Sequence, residues 1–480
     1  MIKFGTSGWR GIIAKDFTYA NVAIVTQAIA NLINDQYKKK SVPTVIVGYD
    51  TRFMSEDFAK SSAEILAGNG IKTLFCKRPT PTPVIAYDII YSKLAGGINF
   101  TASHNPYKYN GLKYSTKWGG SALFETTQKI EKYCISIQSE NIKSITFNLG
   151  IRNKLIKIHN PRNAYIKRIK ELVNFKALKK SNIKVAVDVL HGTGNNYLDS
   201  LLDDADICNS TINKNRDTMF GGGGVPEPSE KNLTELICIV KCGSYKLGFS
   251  TDSDADRFGI IDSDGSFITP NQTMSILLYH LNKTRCWTGI VAKNIMTTHL
   301  IDKLAAKIGV DVIETQVGFK YIGDVMTNNP HKFIIGGEES GGLTIRGHVP
   351  EKDGILACLL MAEAVVMSKK SVNELLKEIK KFTGEVLTSS FGFYLSVEDM
   401  NAFLNTLKKG MFNSIAGIKI REIVTVDGYK FILDDSMWIG FRFSGTEPMV
   451  RMYAEADSQI KLNKLLRAGK RFVYGRRKTI

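Results

Sequence analysis

The sequence lacks the features that mark secreted, zinc-binding and membrane-spanning proteins. Its seven cysteines are scattered over 480 residues and form no CxxC pair, which argues against a disulfide framework or a zinc site. The longest apolar patch, residues 355–367, is interrupted by Glu363 and is too short to cross a bilayer. The first thirty residues show no charged start followed by an apolar run. We therefore expect a cytoplasmic protein without membrane association, whose cysteines serve as packing residues.

Acidic residues are outnumbered, with 46 Asp and Glu against 64 Lys and Arg, which gives a formal net charge of +18. Such a charge suits nucleic acid, an anionic membrane or phosphorylated small molecules, and it does not choose among them. The basic runs at 37–40, 178–180 and 469–478 are typical of a solvated surface. No zinc-finger spacing or aromatic-interleaved motif points to nucleic acid, so no nucleic-acid partner is expected.

The order of strand-like and helical segments predicts an α/β protein with several domains. A chain of 480 residues exceeds what one core fills. Three cycles of alternating strands and helices are followed by a smaller α+β piece, with a hairpin at Asp427-Gly428. The predicted domains are 1–150, 151–255, 256–370 and 371–480.

Polar motifs follow the strands, at the edge where open α/β sheets collect ligands. TASHNP (101–106) comes after the strand-like GGINF. Pro106 holds the preceding residue away from helical geometry, so Ser103 and His104 are predicted to be displayed on a loop. For the tetrapeptide Ser-His-Asn-Pro alone, a solvated turn is the simpler interpretation.

Three aspartates, Asp252, Asp254 and Asp256, recur at every second position after another strand. Alternate carboxylates on a tight loop can converge on one hard cation, which indicates Mg²⁺. An EF-hand is excluded because Arg257 and Ser263 occupy its glycine and glutamate positions. A solvated acidic turn is the alternative, although three adjacent carboxylates repel one another without a cation.

Two further motifs suit a sugar and a phosphate. GGEESGG (336–342) offers carboxylates and a hydroxyl that can bond to sugar hydroxyls, and GHVPEKDG follows it. FRFSGTEP (441–448) combines an arginine, two hydroxyls and a glycine, which suits a phosphate dianion. FGGGGVPEP (220–228) is interpreted as a flexible structural loop.

Together with FGTSGWRG, NGLK and VGFK, these motifs in this order resemble the α-D-phosphohexomutases over nearly the whole chain. The resemblance implies three similar α/β/α mixed-sheet domains and a smaller α+β domain around a central cleft. It also implies exchange of phosphate between the 1- and 6-positions of a hexose, through a phosphoserine and a hexose 1,6-bisphosphate.

The resemblance also implies a role for each motif residue. Ser103 would be the phosphoserine and would hold Mg²⁺ with Asp252, Asp254 and Asp256. The polar set around the serine is Arg10, His104 and Lys113. The substrate-binding set is Arg257, Lys293, Gly318, Phe319, Glu338, Ser340, His348 and Lys352. The set for the non-reacting phosphate is Arg442, Ser444, Gly445, Thr446 and Arg451.

The sequence departs from the family pattern at Glu339 and Gly342, where other members carry methionine or glutamine and histidine. This departure is closer to the phosphoglucomutase style, and His348 and Lys352 would then replace the missing loop histidine. We expect a phosphoglucomutase that also accepts mannose phosphates, as a monomer or dimer, with hexose 1,6-bisphosphate as activator. The alternatives are a phosphoglucosamine mutase and, more remotely, a phosphosugar phosphatase.

Overall fold

The computed structural model describes residues 2–37, 42–410, 413–434, 437–444 and 449–474. Within these ranges the strands form three mixed sheets, one antiparallel sheet and a small two-stranded hairpin. The strands are β1 Trp9–Ile12, β2 Thr44–Tyr49, β3 Lys72–Cys76, β4 Gly96–Phe100, β5 Tyr109–Thr116, β6 Ile156–His159, β7 Lys184–Asp188, β8 Cys208–Ile212, β9 Leu247–Thr251, β10 Phe258–Asp262, β11 Phe267–Ile268, β12 Ile290–Asn294, β13 Asp311–Thr315, β14 Phe333–Glu338, β15 Gly342–Ile345, β16 Leu387–Tyr394, β17 Ser414–Ile415, β18 Ile418–Lys419, β19 Glu422–Val424, β20 Tyr429–Asp434, β21 Met437–Phe443 and β22 Met449–Ala456.

The helices cover the faces of these sheets. They are α1 Tyr19–Tyr37, α2 Ser55–Gly68, α3 Thr82–Tyr91, α4 Phe124–Ser136, α5 Phe147–Arg152, α6 Arg162–Leu172, α7 Phe175–Lys179, α8 Leu198–Asp204, the single turn α9 Phe220–Gly223, α10 Thr234–Cys242, α11 Pro270–Arg285, α12 Leu300–Ile308, α13 Phe319–Asn328, α14 Gly354–Ser368, α15 Val372–Thr383, α16 Val397–Lys409 and α17 Gln459–Tyr474.

The three mixed sheets share one arrangement, with parallel strands in the centre and an antiparallel strand beside them. The corresponding orders are β5-β4-β2-β3, β10-β9-β7-β8 and β15-β14-β12-β13. In each, the last parallel strand turns back into an antiparallel partner. The TASHNP, DSDADR and GGEESGG segments span these three turns, so the polar motifs occupy the same topological position in each sheet.

The sheets do not divide at the expected domain boundaries. Strand β6 pairs with β3 and extends the first sheet past residue 150. Strands β10 and β11 complete the second sheet, so the chain assigned to a third cycle at FGIIDSDG still belongs to the second. At the second boundary the cause is the antiparallel return strand β10, which a purely alternating βα pattern does not predict. The hairpin at Asp427-Gly428 is present between β19 and β20.

The core lies between the sheets and their helices. The central strands β9 and β14 are buried along their whole length, as expected for strands covered on both faces. Helix α14 is the apolar segment 355–367 of the sequence and packs between the second and third sheets, contacting β9, β10 and β15. No helix in the described residues is long and apolar enough for a bilayer crossing.

The cysteines do not all serve as packing residues. Every cysteine is free; Cys76 and Cys358 are buried. Four others are exposed and contribute little to packing; they are Cys208, Cys238, Cys242 and Cys286.

A buried ion pair links helix α14 to helix α11. The Glu363 carboxylate is almost fully buried, lies 2.8 Å from His280 Nε2 and accepts a hydrogen bond of 2.9 Å from Arg285 Nη2. It also caps the backbone N–H of Asn174 at 2.7 Å. Burial raises the pKa of Glu363, but the His280 hydrogen bond and the Arg285 charge outweigh it, so the pKa is lowered.

Glu363→Ala is expected to lower the free energy of unfolding by about 3 kcal/mol, because it leaves the partly buried Arg285 guanidinium without its anion and the buried His280 ring without its hydrogen-bond partner. The lowered pKa means that this contribution is present at neutral pH and is lost as the pH falls below the ordinary glutamate range and through the folded-state pKa. Thermal and urea unfolding at pH 7 and at acidic pH measure it. The exposed Glu171, paired with Arg168, is the control, and Glu171→Ala should cost less than about 1 kcal/mol. Equal effects would contradict the assignment.

Candidate active site

Ser103 lies in the turn between β4 and β5 and presents its hydroxyl to the second sheet. Its backbone has a φ of 50°, in the left-handed region that non-glycine residues rarely adopt. Its N–H donates to Thr101 Oγ1 at 2.9 Å, and its Oγ donates to Asp252 Oδ2 at 2.6 Å. The hydroxyl is therefore held inward, beside a carboxylate that lies 149 positions along the chain.

The three aspartates meet in the turn after β9. Asp252, Asp254 and Asp256 are fully buried, and each offers a carboxylate oxygen within 4.8 Å of the other two. Burial and the charges of Asp254 and Asp256 raise the pKa of Asp252 well above its ordinary value. Three carboxylates at this spacing repel one another, so the arrangement favours a bound cation.

The donor set fits a hard divalent cation. Asp254 Oδ1 and Asp256 Oδ1 are buried and find no hydrogen-bond partner among the described residues, whereas buried carboxylate oxygens normally have one. Their other oxygens are occupied, since Asp254 Oδ2 accepts from Thr82 Oγ1. Two free, buried oxygens beside Asp252 are the ligands that Mg²⁺ prefers.

Two lysines flank the aspartates from other elements. Lys113, on β5, donates to Asp254 Oδ2 at 2.5 Å and to Asp256 Oδ2 at 2.7 Å. Lys352, after β15, lies 2.8 Å from Asp256 Oδ2. Burial lowers the pKa of Lys113, but the two aspartates outweigh it and raise the value. Burial likewise raises the pKa of Asp256, but the charges of Lys113 and Lys352 outweigh it and lower the value.

Cationic groups surround the serine on its other side. Arg10 Nη1 donates to Asn105 Oδ1 at 2.5 Å, and burial together with Arg257 lowers the pKa of Arg10 to about 10. Burial and the nearby arginines also lower the pKa of His104 well below its ordinary value. Its Nδ1 lies 3.4 Å from Ser103 Oγ. This concentration of positive charge suits an anionic ligand.

The EES turn meets the VGFK segment. Glu338 accepts hydrogen bonds from Gly318 N at 2.9 Å and from Asn294 Nδ2 at 3.0 Å. Burial and the neighbouring Glu339 raise the pKa of Glu338. Ser340 follows on the half-buried turn before β15. These groups can bond to hydroxyls of a ligand.

Lys352 explains the glycine that replaces the family histidine. A Cβ at Gly342 would fall 2.1 Å from Lys352 Cδ, so a side chain at 342 and this path of the lysine exclude each other. The Lys352 ammonium also lies 5.9 Å from the centre of the Phe319 ring. The structure therefore brings Lys352 and Phe319 together beside the aspartates.

Lys293 and His348 are not brought into this cluster. The Lys293 side chain is fully buried, and its Nζ lies 2.8 Å from Asp302 Oδ2 and 2.9 Å from Glu314 Oε2. His348 Nε2 lies 2.7 Å from Asp353 Oδ2, whose other oxygen caps α14. Both side chains are thus engaged by structural partners.

The last motif lies on neighbouring strands of the antiparallel sheet. Arg442 on β21 faces Arg451 on β22 directly across the ladder, and two like charges in this position are unfavourable unless an anion lies between them. Asp427 Oδ2 lies 3.2 Å from Arg442 Nε, so the Asp427 carboxylate balances part of this positive charge. Ser444 follows β21. Gly445 and Thr446 lie outside the described residues.

Two polar residues of the site were not predicted from the sequence. Asn294 ends β12 and bonds both Glu338 and Glu339. Thr82 begins α3 and donates to Asp254. Each stands at the carboxyl end of a strand or the start of the next helix, which is the signal that identifies such positions.

The comparisons with known proteins agree with this geometry. Profiles for the phosphoglucomutase/phosphomannomutase alpha/beta/alpha domains I, II and III match residues 1–141, 163–265 and 269–382, and the profile for the C-terminal domain matches residues 396–468. A phosphoglucomutase/phosphomannomutase of Thermococcus kodakarensis is 30% identical, and the alignment covers 97% of each chain. A Pyrococcus horikoshii protein provisionally named phosphoglucosamine mutase is 27% identical, over 98% of this chain and 97% of the relative.

A solved structure gives the same result. A protein of Thermus thermophilus, provisionally named a phosphomannomutase, superposes with a TM-score of 0.84 at 31% identity, over 99% of each chain. On sequence and structure together, the chain belongs to the phosphoglucomutase/phosphomannomutase family of phosphohexomutase isomerases.

Proposed function

We propose that the protein is a Mg²⁺-dependent phosphoglucomutase that also accepts mannose phosphates. Isomerisation would proceed through a phosphorylated Ser103 and a hexose 1,6-bisphosphate, which also primes the enzyme. The observation that carries the proposal is the 2.6 Å hydrogen bond from Ser103 Oγ to Asp252, within a triad that keeps two buried oxygens free. A nucleophile placed beside a cation site is what phosphoryl transfer requires.

The residues around the serine have different roles in the transfer of the phosphoryl group. Asp252, Asp254 and Asp256 would hold Mg²⁺, which would supply charge neutralisation for the phosphoryl group. His104 Nδ1, 3.4 Å from Ser103 Oγ, is placed to exchange a proton with the serine oxygen. The carboxylates of Asp254 and Asp256 keep Lys113 in its charged form. The Lys113 ammonium therefore balances the negative charge of these carboxylates.

The distant parts of the site would orient the sugar. Glu338 and Ser340 would bond the 3- and 4-hydroxyls, and Arg442 with Arg451 would bind the phosphate that is not reacting. Fixing the distant phosphate turns its binding energy into orientation of the reacting one. After one transfer the bisphosphate must turn end over end, so the arginine pair has to accept either phosphate.

The preference among sugar phosphates is the point that an activity assay has to decide. Relatives carry different names, including phosphoglucomutase and phosphoglucosamine mutase. Glu339 accepts hydrogen bonds from Asn294 Nδ2 at 2.7 Å and Thr297 Oγ1 at 3.3 Å. Because the groups that bond Glu339 Oε2 are neutral donors, we favour a neutral sugar hydroxyl over the ammonium of glucosamine.

A coupled assay tests the proposal. Glucose 1-phosphate, mannose 1-phosphate and glucosamine 1-phosphate are compared at saturating Mg²⁺ with a trace of the matching 1,6-bisphosphate. We expect the highest kcat/KM with glucose 1-phosphate and a lower value with mannose 1-phosphate. A preference for glucosamine phosphate would establish the alternative mutase, and release of inorganic phosphate in place of isomer would indicate a phosphatase. Either result would overturn the proposal.

A further inference from the structure

Asp50 and Arg52 directly follow β2, beside the serine turn. Strand β2 pairs in parallel with β4, with Tyr49 opposite Phe100, so the residues that follow these two strands emerge next to each other. The Arg52 side chain is fully buried. A buried arginine is uncommon and is normally retained for a specific set of acceptors.

The Arg52 guanidinium binds the backbone of the serine turn. Its two terminal nitrogens donate to four carbonyl oxygens, all between the serine and the start of β5. The acceptors are the carbonyls of Ser103, of Asn105 at 2.6 Å, and of Pro106 and Tyr109 at 3.1 Å each. One planar side chain therefore fixes the path of the whole turn, which no hydrogen bond between neighbours in the turn could do alone.

The Arg52 guanidinium also contacts the Asp50 carboxylate and the Phe220 ring. Asp50 Oδ2 lies 3.2 Å from Arg52 Nε, and Asp50 Oδ1 accepts a hydrogen bond of 2.9 Å from the backbone N–H of Arg52. The Phe220 ring, from the glycine-rich loop 220–228, covers the guanidinium at 4.9 Å. This loop thereby gains a role as one wall of the arginine's pocket, since a cation over an aromatic face is stabilised there.

The same network reaches the aspartate turn. Ser253, the neighbour of Asp252, donates its hydroxyl to the Ser103 carbonyl at 2.7 Å and lies 3.2 Å from Asp50 Oδ2. The Ser103 carbonyl thus receives hydrogen bonds from Arg52 and Ser253 together. The position of the serine relative to the triad is set through this shared carbonyl.

We propose that Arg52 is a positioning residue that holds the serine turn in register with the aspartate triad. The role rests on the proposed function, since it presumes that Ser103 transfers phosphate. The left-handed backbone of Ser103 is unfavourable for a non-glycine residue, and Arg52 supplies the external hydrogen bonds that maintain it. Without them the turn relaxes, and the hydroxyl moves away from Asp252.

Kinetics of Arg52→Lys test the proposal. Lysine keeps the positive charge but cannot form the planar fork to several carbonyls. We expect kcat to fall about 100-fold, as for a displacement of a reacting group by about 1 Å. KM for the sugar phosphate should stay within about twofold of the parent, because the sugar and distant-phosphate contacts lie on other turns.

Arg346→Lys is the matched control. Arg346 also donates to backbone carbonyls, of Phe333 at 2.7 Å and Thr288 at 2.8 Å, and also lies over an aromatic ring, that of Trp287 at 4.7 Å. It does so at the edge of the third sheet, outside the candidate site. Its replacement is expected to change the thermal midpoint without changing kcat, which separates a general cost in packing from an effect on the serine.

Chemical rescue gives a measurement that would not change if the role of Arg52 were purely structural. In Arg52→Ala, millimolar guanidinium should enter the vacated pocket and restore part of kcat, whereas ammonium should not. If Arg52→Ala does not fold, Phe220→Leu removes only the ring over the guanidinium and should lower kcat severalfold at unchanged KM.

The outcomes distinguish this inference from the function on which it rests. An inactive parent enzyme would remove the proposed function and the role of Arg52 with it. An active parent with a folded Arg52→Lys variant of equal kcat would overturn the inference alone. So would a rise in KM at unchanged kcat, or an equal loss of kcat in Arg346→Lys.

Discussion

Replacing Ser103 with alanine is expected to abolish isomerisation, lowering kcat by about 10⁴-fold or more, as removal of a nucleophile does in other enzymes. The reason is that Ser103 Oγ is the hydroxyl directed at the triad, 2.6 Å from Asp252. KM for the sugar phosphate should change little, since the sugar contacts lie on other turns. The coupled assay measures the loss, and intact mass of the parent and the variant should show one phosphoryl group in the parent alone.

A serine outside the site provides the control. Ser92, at the end of α3, bonds Asp88 Oδ1 at 3.0 Å and has no place in the proposed transfer. Ser92→Ala should keep the parent rate and the phosphorylated mass. An unchanged rate in Ser103→Ala would defeat the phosphoserine assignment.

Replacing Asp254 with asparagine is expected to lower turnover by about 10³-fold. The change substitutes an N–H donor or a neutral oxygen for the free Oδ1, and it removes one of three negative charges that would hold Mg²⁺. Loss of charge stabilisation of several kcal/mol corresponds to this factor. Calorimetric titration with Mg²⁺ should show weakened binding, and EDTA should stop turnover of the parent enzyme until Mg²⁺ is restored.

Asp264→Asn, on the next hairpin of the same sheet, serves as the comparison. Asp264 lies in the exposed turn between β10 and β11 and accepts from Ser266 N at 2.9 Å. Its replacement should leave both Mg²⁺ affinity and turnover at the parent level. Full turnover in the presence of EDTA, or equal Mg²⁺ affinity in Asp254→Asn, would contradict a cation site at the triad.

The turns that carry the serine and the aspartates could be located from sequence because each follows a strongly apolar strand. A strand such as GGINF fixes where its carboxyl end lies, and a polar residue placed just beyond it has few other destinations. The convergence of Asp252, Asp254 and Asp256 was predictable for the same reason. Their contact with Ser103 depends on how two sheets pack, which spacing along the chain does not encode.

Lys293 shows where the sequence was insufficient. Successive residues on a strand point to opposite faces, so of the pair Lys293 and Asn294 only one can face the EES turn. The structure directs Asn294 to Glu338 and buries the lysine with Asp302 and Glu314. The prediction for Lys293 came from the family resemblance, and which of the two side chains faces the EES turn depends on the register of β12 in the sheet.

Arg52 was missed for a different reason. Its acceptors are backbone carbonyls, which every residue possesses, so no side-chain pattern marks them. The only sequence signal is an aspartate and an arginine two positions apart after TVIVGY, at a strand end equivalent to those that carry the motifs. Likewise, the partner of His348 is Asp353, only five residues away, and no motif in the sequence marks this local pairing.

The antiparallel strand that follows each functional turn has a consequence for how the protein can vary. A loop that leads into a helix can accommodate inserted residues. Each of these three turns, in contrast, joins two strands that pair with each other in one antiparallel ladder. Adding a single residue would shift the return strand and exchange its inner and outer side chains. Lengthening should therefore be tolerated at the opposite rim, where helices lead back into strands, and the three turns should keep a constant length among variants that retain activity.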